Sequence, residues 1–340
     1  MAQVVITIDT EIGELSKYAP RTFETFIEGK VGGREVGYRF ILNMLEKYGV
    51  RGEFFVDIYP YGLLGEEYFA DLCKAIRLRE HRVQLHTHPS MAFDARRSYL
   101  HEYSLKEQIE ILSLGANKIR EWIGVYPTAH RAGMYGINAD TFQALERVGI
   151  SYDCSWFYGN RNCKLSCSIR NKPFRLGNTI EIPVTVFKKI VTVRNPVATL
   201  KAILVQKEGR QSLVRGEQFK KLDTRYGATL EEIKKVITES DPKAVIILFL
   251  HSFNFLDLVF NLRKRTYESI RVNDNLIKSF EELLLWISKQ ESCRFSTIDD
   301  LKIDYEQRDV CIEVDSGDNR TLTGKAINLF RTHILHKIDL

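Results

Sequence analysis

The chain has 340 residues, 44% of them hydrophobic and 27% charged, with 49 basic residues against 44 acidic ones for a formal charge of +5. That composition describes a globular protein with ample core, built either as two small domains or as one large α/β barrel. The small basic excess gives no reason to expect nucleic acid, and no apolar run reaches the length of a membrane span.

Short β-rich runs alternate with longer amphipathic ones along the chain. VVITI at 4–8 precedes a helical pattern near 34–48, and GEFFVDI at 52–58 precedes another near 66–79. RVQL at 82–85, PTAH at 127–130 and ISYDC at 150–154 follow, separated by helical stretches at 104–123 and 138–148. TIEIPV at 179–184, a helix near 229–239, AVIILFL at 244–250, a helix over 273–290 and RFSTI at 294–298 complete the series. This rhythm predicts a parallel sheet. Seven or eight such units in about 300 residues favour an α/β fold of one kind, a distorted (β/α) barrel of about seven parallel strands with its active site at the strand C-terminal ends. No GxGxxG follows the first strand and no GxxxxGK[ST] is present, which disfavours a nucleotide-binding doubly wound fold. The barrel is expected over 1–303, with a basic insertion near 186–227 and an appendage at 304–340. MAQVVITIDT has no basic region ahead of its apolar run, so no signal peptide is expected. Six scattered cysteines suit reduced thiols in a cytoplasm.

The strand ends carry the chemistry. In VQLHTHP, at 83–89, alternation turns His86 and His88 to the same face, and proline stops the strand. Read in order, the other strand ends bear Asp9-Thr10-Glu11, His130-Arg131, Asp153-Cys154-Ser155-Trp156 and His251-Ser252. Each has a bland alternative: Asp9 as a turn cap, Arg131 as a surface charge, Asp153 as a strand terminator, His251 as a satisfied core histidine. Jointly they are hard to ascribe to capping, because buried charges need partners and a shared mouth supplies them. Two imidazoles and a carboxylate form a three-ligand site with an open position, the catalytic arrangement for zinc or a similar divalent ion.

In this order the motifs resemble those of the polysaccharide deacetylase superfamily (NodB-homology, carbohydrate esterase family four) over about residues 4–300. TIDTE stands for the first motif, HRVQLHTHP for the second, HRAGMYG for the third, DCSW for the fourth and ILFLHSF for the fifth, with RFSTIDDL similar to the closing strand. The resemblance implies that Asp9 is the general base, that Glu11 or Asp9 supplies the metal carboxylate, and that His86 and His88 are the imidazole ligands. It further implies that Arg131 holds the base, that Asp153 orients His251, and that His251 is the general acid. Trp156 and His130 are the substrate-binding candidates, Trp156 as a wall of the acetyl pocket. Three departures mark a divergent branch: Thr10 separates the two acids, the histidine spacing is shortened, and Gly133-Met134 replaces the usual Pro-Tyr.

The activity so implied is metal-dependent removal of an acetyl group from an N-acetylated, or else O-acetylated, sugar or sugar-linked intermediate of surface-polysaccharide metabolism, with zinc the first metal to consider. The partner is then a small acetylated sugar rather than nucleic acid. Two alternatives remain open at this point: a metal-dependent hydrolase of another amide or a phosphoester, and a non-catalytic carbohydrate-binding descendant of the barrel.

Overall fold

The protein is seen here in a computed structural model that describes residues 1–12, 21–194, 213–225, 227–261 and 263–315. Two compact units emerge, Met1–Val186 with Lys221–Ile312, and Phe187–Lys220 with Glu313–Leu340.

The first unit is built on a curled, mostly parallel sheet. Its strands are β1 (Ala2–Thr10), β2 (Glu53–Asp57), β3 (Arg82–Thr87), β4 (Ala129–Ala132), β5 (Tyr152–Asp153), β6 (Thr179–Glu181) and β7 (Val245–His251), laid side by side in the order β7-β1-β2-β3-β4-β5-β6. An antiparallel strand, Phe174–Leu176, borders β6, and β8 (Cys293–Phe295) pairs with the start of β1. Seven parallel strands in this order are the expected distorted (β/α) barrel. All nine residues of β1 are buried, as a central strand covered on both faces requires.

Helices α1 (Tyr38–Lys47), α2 (Glu66–Leu78), α3 (Leu105–Ile123), α4 (Ala139–Val148), α5 (Leu230–Glu239) and α6 (Asp274–Ser288) separate the strands, close to the positions their periodicity predicts. Their starts are written in the sequence. Ser104 with Glu107, Asn138 with Thr141 and Thr229 with Glu232 form reciprocal capping boxes. An antiparallel hairpin, Leu256–Asn261 with Thr266–Val272, lies between β7 and α6.

Register sorts the side chains. Asp9 lies beside His251 and Phe55, Asp57 beside His86, and His86 beside Arg131. These residues share the inner face with an apolar cluster of Val5, Phe55, Ala129, Cys154, Ile180, Ile182, Val245 and Ile247. Alternation sends their chain neighbours, among them Thr87, His130 and Asp153, to the outer face. Pro183 has no N–H to extend the ladder past β6. Two donors of β7 are met instead by Thr185 Oγ1, which accepts from Ile247 N at 2.8 Å, and by the Leu222 carbonyl, which accepts from Phe249 N at 2.9 Å.

In the second unit the described residues form a small sheet. Val186–Arg194 lies between Leu213–Lys221 and Glu313–Asp315, and Lys188 Nζ bridges Glu217 at 2.7 Å and Glu313 at 3.1 Å. The stretch expected as a basic insertion contributes two of these strands, although 195–212 lie outside the described residues. Of the expected appendage, the chain up to Ile312 groups with the barrel, and 316–340 lie outside the described residues. Among the described residues no helix is long and apolar enough to cross a membrane.

Candidate metal centre

Three donors converge at the C-terminal ends of β1 and β3. Glu11 Oε2 lies 3.0 Å from His86 Nε2 and 2.6 Å from His88 Nε2, and one ligand atom from each residue falls within 4.8 Å of the others. The D-T-E and H-T-H spacings have one cause. Thr10 and Thr87 are fully buried on the far face, so the residues on either side of each point into the mouth.

The histidines are oriented for this task. His86 Nδ1 donates to the Arg131 carbonyl at 2.8 Å, which turns Nε2 toward Glu11. The two rings stand 5.0 Å apart at 77°. Burial works against the Glu11 carboxylate, but the charges and hydrogen bonds of His88 and His86 outweigh it and hold its pKa well below the ordinary value. Two imidazole nitrogens and a carboxylate oxygen are a donor set that zinc takes, so the residues fit a divalent ion.

Beside the ligands lies a second acid with its own cation. Asp9 Oδ1 accepts from Arg131 Nη1 at 2.7 Å, while Asp9 Oδ2 faces His86 Nε2 at 3.8 Å. Arg131 is wholly buried. Its guanidinium also donates to Thr7 Oγ1 and to the Cys154 carbonyl, and it lies between the rings of Phe55 at 4.3 Å and Phe249 at 4.8 Å.

His251 stands beside Asp9 on the neighbouring strand, its Nε2 3.8 Å from Glu11 Oε1. Burial, reinforced by the Lys221 ammonium, pushes its pKa down to about 4, so the ring is neutral at pH 7. Lys221 belongs to the same wall: its Nζ reaches Tyr135 Oη at 3.0 Å and Asp223 Oδ2 at 3.2 Å and sits 3.4 Å over the Phe249 ring.

Two sequence expectations need correction. Asp153 does not orient His251. Its Oδ1 accepts from His130 Nδ1 at 2.7 Å, because β4 and β5 pair His130 with Asp153 on the outer face while His251 points inward. His130 is not a substrate contact, since its ring is wholly buried with Nδ1 on Asp153 and Nε2 on Thr87 Oγ1 at 3.0 Å. Trp156 donates its indole N–H to the Ile169 carbonyl at 2.7 Å and packs its ring against Phe174 and Tyr158.

Two acids escaped the sequence reading. Asp57 ends β2 beside His86 and is buried; burial raises its pKa to about 6 against the opposing pull of His88 and His86. It carried the same strand-end signal as the rest, in GEFFVDI. Asp223, wholly buried next to Lys221, comes from an aperiodic basic stretch that gave no local signal.

No sequence model of a protein family matches the chain, and no curated protein matches it in sequence. Solved structures do match in shape. A Mycobacterium smegmatis protein assigned as a polysaccharide deacetylase superposes with a TM-score of 0.51 at 15% identity, over 88% of this chain and 87% of that one. The fold is that of a polysaccharide deacetylase barrel. PuuE allantoinase matches with a TM-score of 0.50 at 11% identity, over 88% of each chain. A 4-alpha-glucanotransferase from Thermococcus litoralis also reaches 0.50 at 12% identity, over 92% of this chain and 41% of that one. At these identities the likeness is one of fold, and the barrel by itself does not select a substrate.

Proposed function

We propose that the protein is a metal-dependent hydrolase that removes the acetyl group from an N-acetylated sugar or sugar-linked intermediate. The observation that carries this reading is the convergence of Glu11, His86 and His88 beside the Asp9–Arg131 pair, in the mouth of a deacetylase-type barrel. A divalent ion held by the three ligands, with zinc the first choice, would supply Lewis-acid polarisation of the acetyl carbonyl and lower the pKa of water to about 7. Asp9 would then take the proton of the attacking water at Oδ2, the oxygen that faces the ligands while Oδ1 is committed to Arg131. Expulsion of the amine needs a proton at nitrogen, and His251 Nε2, on the strand next to Asp9 and close to Glu11, would deliver it. Because burial keeps that ring neutral at rest, the proton has to reach it during turnover. The side chains of Lys221 and Tyr135 would enclose the acetylated end of the sugar on the His251 side.

Metal analysis of the purified protein, together with acetate release from N- and O-acetylated sugars, tests the reading. One equivalent of zinc and acetate release from an N-acetylated sugar are expected. Zinc-loaded protein that releases no acetate but cleaves another amide or a phosphoester would move the assignment to a different hydrolase on the same barrel, and protein that takes up no metal would leave a carbohydrate-binding descendant.

A further inference from the structure

A chain of buried hydrogen bonds runs behind the candidate metal centre, on the outer face of the sheet. Thr87, between the two histidines, turns its side chain away from them, and its Oγ1 meets His130 Nε2 at 3.0 Å. His130 Nδ1 meets Asp153 Oδ1 at 2.7 Å, and the same oxygen accepts from Ser155 Oγ at 2.8 Å. Asp153 lies in register with Glu181, whose Oε1 accepts from Trp156 N at 2.9 Å. Thr87, His130, Asp153, Ser155 and Glu181 are all fully buried.

The direction of the His130–Asp153 bond follows from two orphaned oxygens. Asp153 Oδ2 and Glu181 Oε2 are buried and find no donor among the described residues. Two neighbouring carboxyl groups satisfy both by sharing one proton. Burial and the adjacent Asp153 charge push Glu181 well above the ordinary carboxylate range, whereas the His130 contact holds Asp153 below its own despite burial. Glu181 therefore keeps the proton and Asp153 the charge. An ionised Asp153 makes His130 Nδ1 the donor to it, and the ring so held presents Nε2 to the Thr87 hydroxyl.

We infer that His130, backed by Asp153 and Glu181, is a positioning residue for the metal ligands, acting through Thr87 to hold the His86–His88 segment from behind. The inference rests on the metal-site reading above. Two successive residues of β4 then grip opposite faces of the end of β3: the Arg131 carbonyl fixes His86 Nδ1 on the inner face, and His130 fixes Thr87 on the outer one. Groups that orient metal ligands without touching the ion change affinity by about 10–100-fold when removed. A network that served stability alone would leave metal affinity unchanged once the protein has folded.

Thr87→Val keeps the shape of the side chain and removes only the hydroxyl. In a competition titration of metal-free protein with zinc and a chromophoric chelator, it should weaken zinc binding about tenfold or more, with an unaltered far-UV circular dichroism spectrum. Thr87→Ser, which restores the hydroxyl, should bring the affinity back, and Glu181→Gln, which still offers an N–H to Asp153, should bind zinc as the wild type does. Wild-type affinity in Thr87→Val, beside lost binding in His86→Ala, would overturn the inference and leave the metal site standing. A wild-type chain that takes up no zinc would overturn both. Should Thr87→Val fail to fold, Asp153→Asn cuts the same chain at its charged link: weakened zinc binding there supports the inference, and unchanged binding overturns it.

Discussion

A Cβ added to Gly133 would stand 2.5 Å from Cε1 of His88 and 2.6 Å from both of its ring nitrogens, so the imidazole rests directly on the backbone of the loop that follows β4. An aromatic ring cannot yield as the end of a flexible side chain can, and the ring has to move if a methyl is placed there. Gly133→Ala is therefore expected to fold and to bind zinc at least about tenfold more weakly, because metal sites tolerate displacements of only about 0.5 Å. Zinc titration with circular dichroism checks this, and undiminished affinity would show that the ring has room to shift.

The two acids of the D-T-E stretch should separate on substitution. Glu11 touches both imidazoles, whereas Asp9 is bound to Arg131, so Glu11→Gln should abolish metal retention and Asp9→Asn should keep the metal. Loss of a general base at Asp9 should lower turnover about 10²–10⁴-fold. Metal content and acetate release on the two variants test the division, and metal loss in Asp9→Asn alone would reverse the roles.

Arg131 is buried against Phe55 and Phe249 and donates to Asp9, the carboxylate it balances. Arg131→Met should cost about 3–5 kcal/mol by leaving that carboxylate uncompensated. Denaturant unfolding measures the loss. A cost recovered in the double variant Asp9→Asn/Arg131→Met would assign it to the stranded charge rather than to packing.

How much of this was legible in the sequence depends on strand parity. The D-T-E and H-T-H spacings state which residues share a face, and the structure joins them as that rule requires. The same rule, applied one residue at a time, separates His130 from Arg131 and Asp153 from Cys154. A list of polar strand ends treats such neighbours as equals and so pairs Asp153 with the wrong histidine. Asp57 was as legible as Asp9, since both end apolar strands in the same sheet. Lys221 and Asp223 were not, because Lys221 is the last residue of its strand and Asp223 lies just past it. Only the return of the chain alongside Phe249 brings them to the mouth.

Glu53 links stability to pH from beneath the site. Burial raises its pKa from 4.5 to about 7, although Gln84 Nε2 at 2.8 Å and Ile298 N at 2.7 Å donate to it. Below pH 4.5 the carboxyl is protonated in both folded and unfolded chains, and its contribution is fully present. As pH rises toward 7 the unfolded chain ionises first, and that contribution is lost. Compared with Glu53→Gln, the wild type should lose up to about 3 kcal/mol across this window and change little above it. Unfolding free energies of both proteins at several pH values decide the matter, and a constant difference would mean that Glu53 titrates alike in the two states.

His251 ends the most apolar strand of the barrel, and its ring lies against Phe249 and Phe253, each 5.0 Å away, before Nε2 emerges toward Glu11. A histidine kept for packing alone would be replaceable by glutamine at small cost in turnover, since glutamine fills similar space and still offers a hydrogen bond. A histidine that carries a proton to the leaving nitrogen is not replaceable in that way, because an amide does not take up and release a proton near neutrality. His251→Gln should therefore retain the fold and its zinc and lose about 10²-fold or more in turnover. Amine addition does not substitute for a general acid on the departing group, so the clearest check compares substrates. A leaving group that needs no protonation, such as the phenolate of an activated acetyl ester, should be released by the variant almost as fast as by the wild type. Equal losses on the amide and the activated ester would place the role of His251 in holding the site together, and near-normal turnover on both would make it structural.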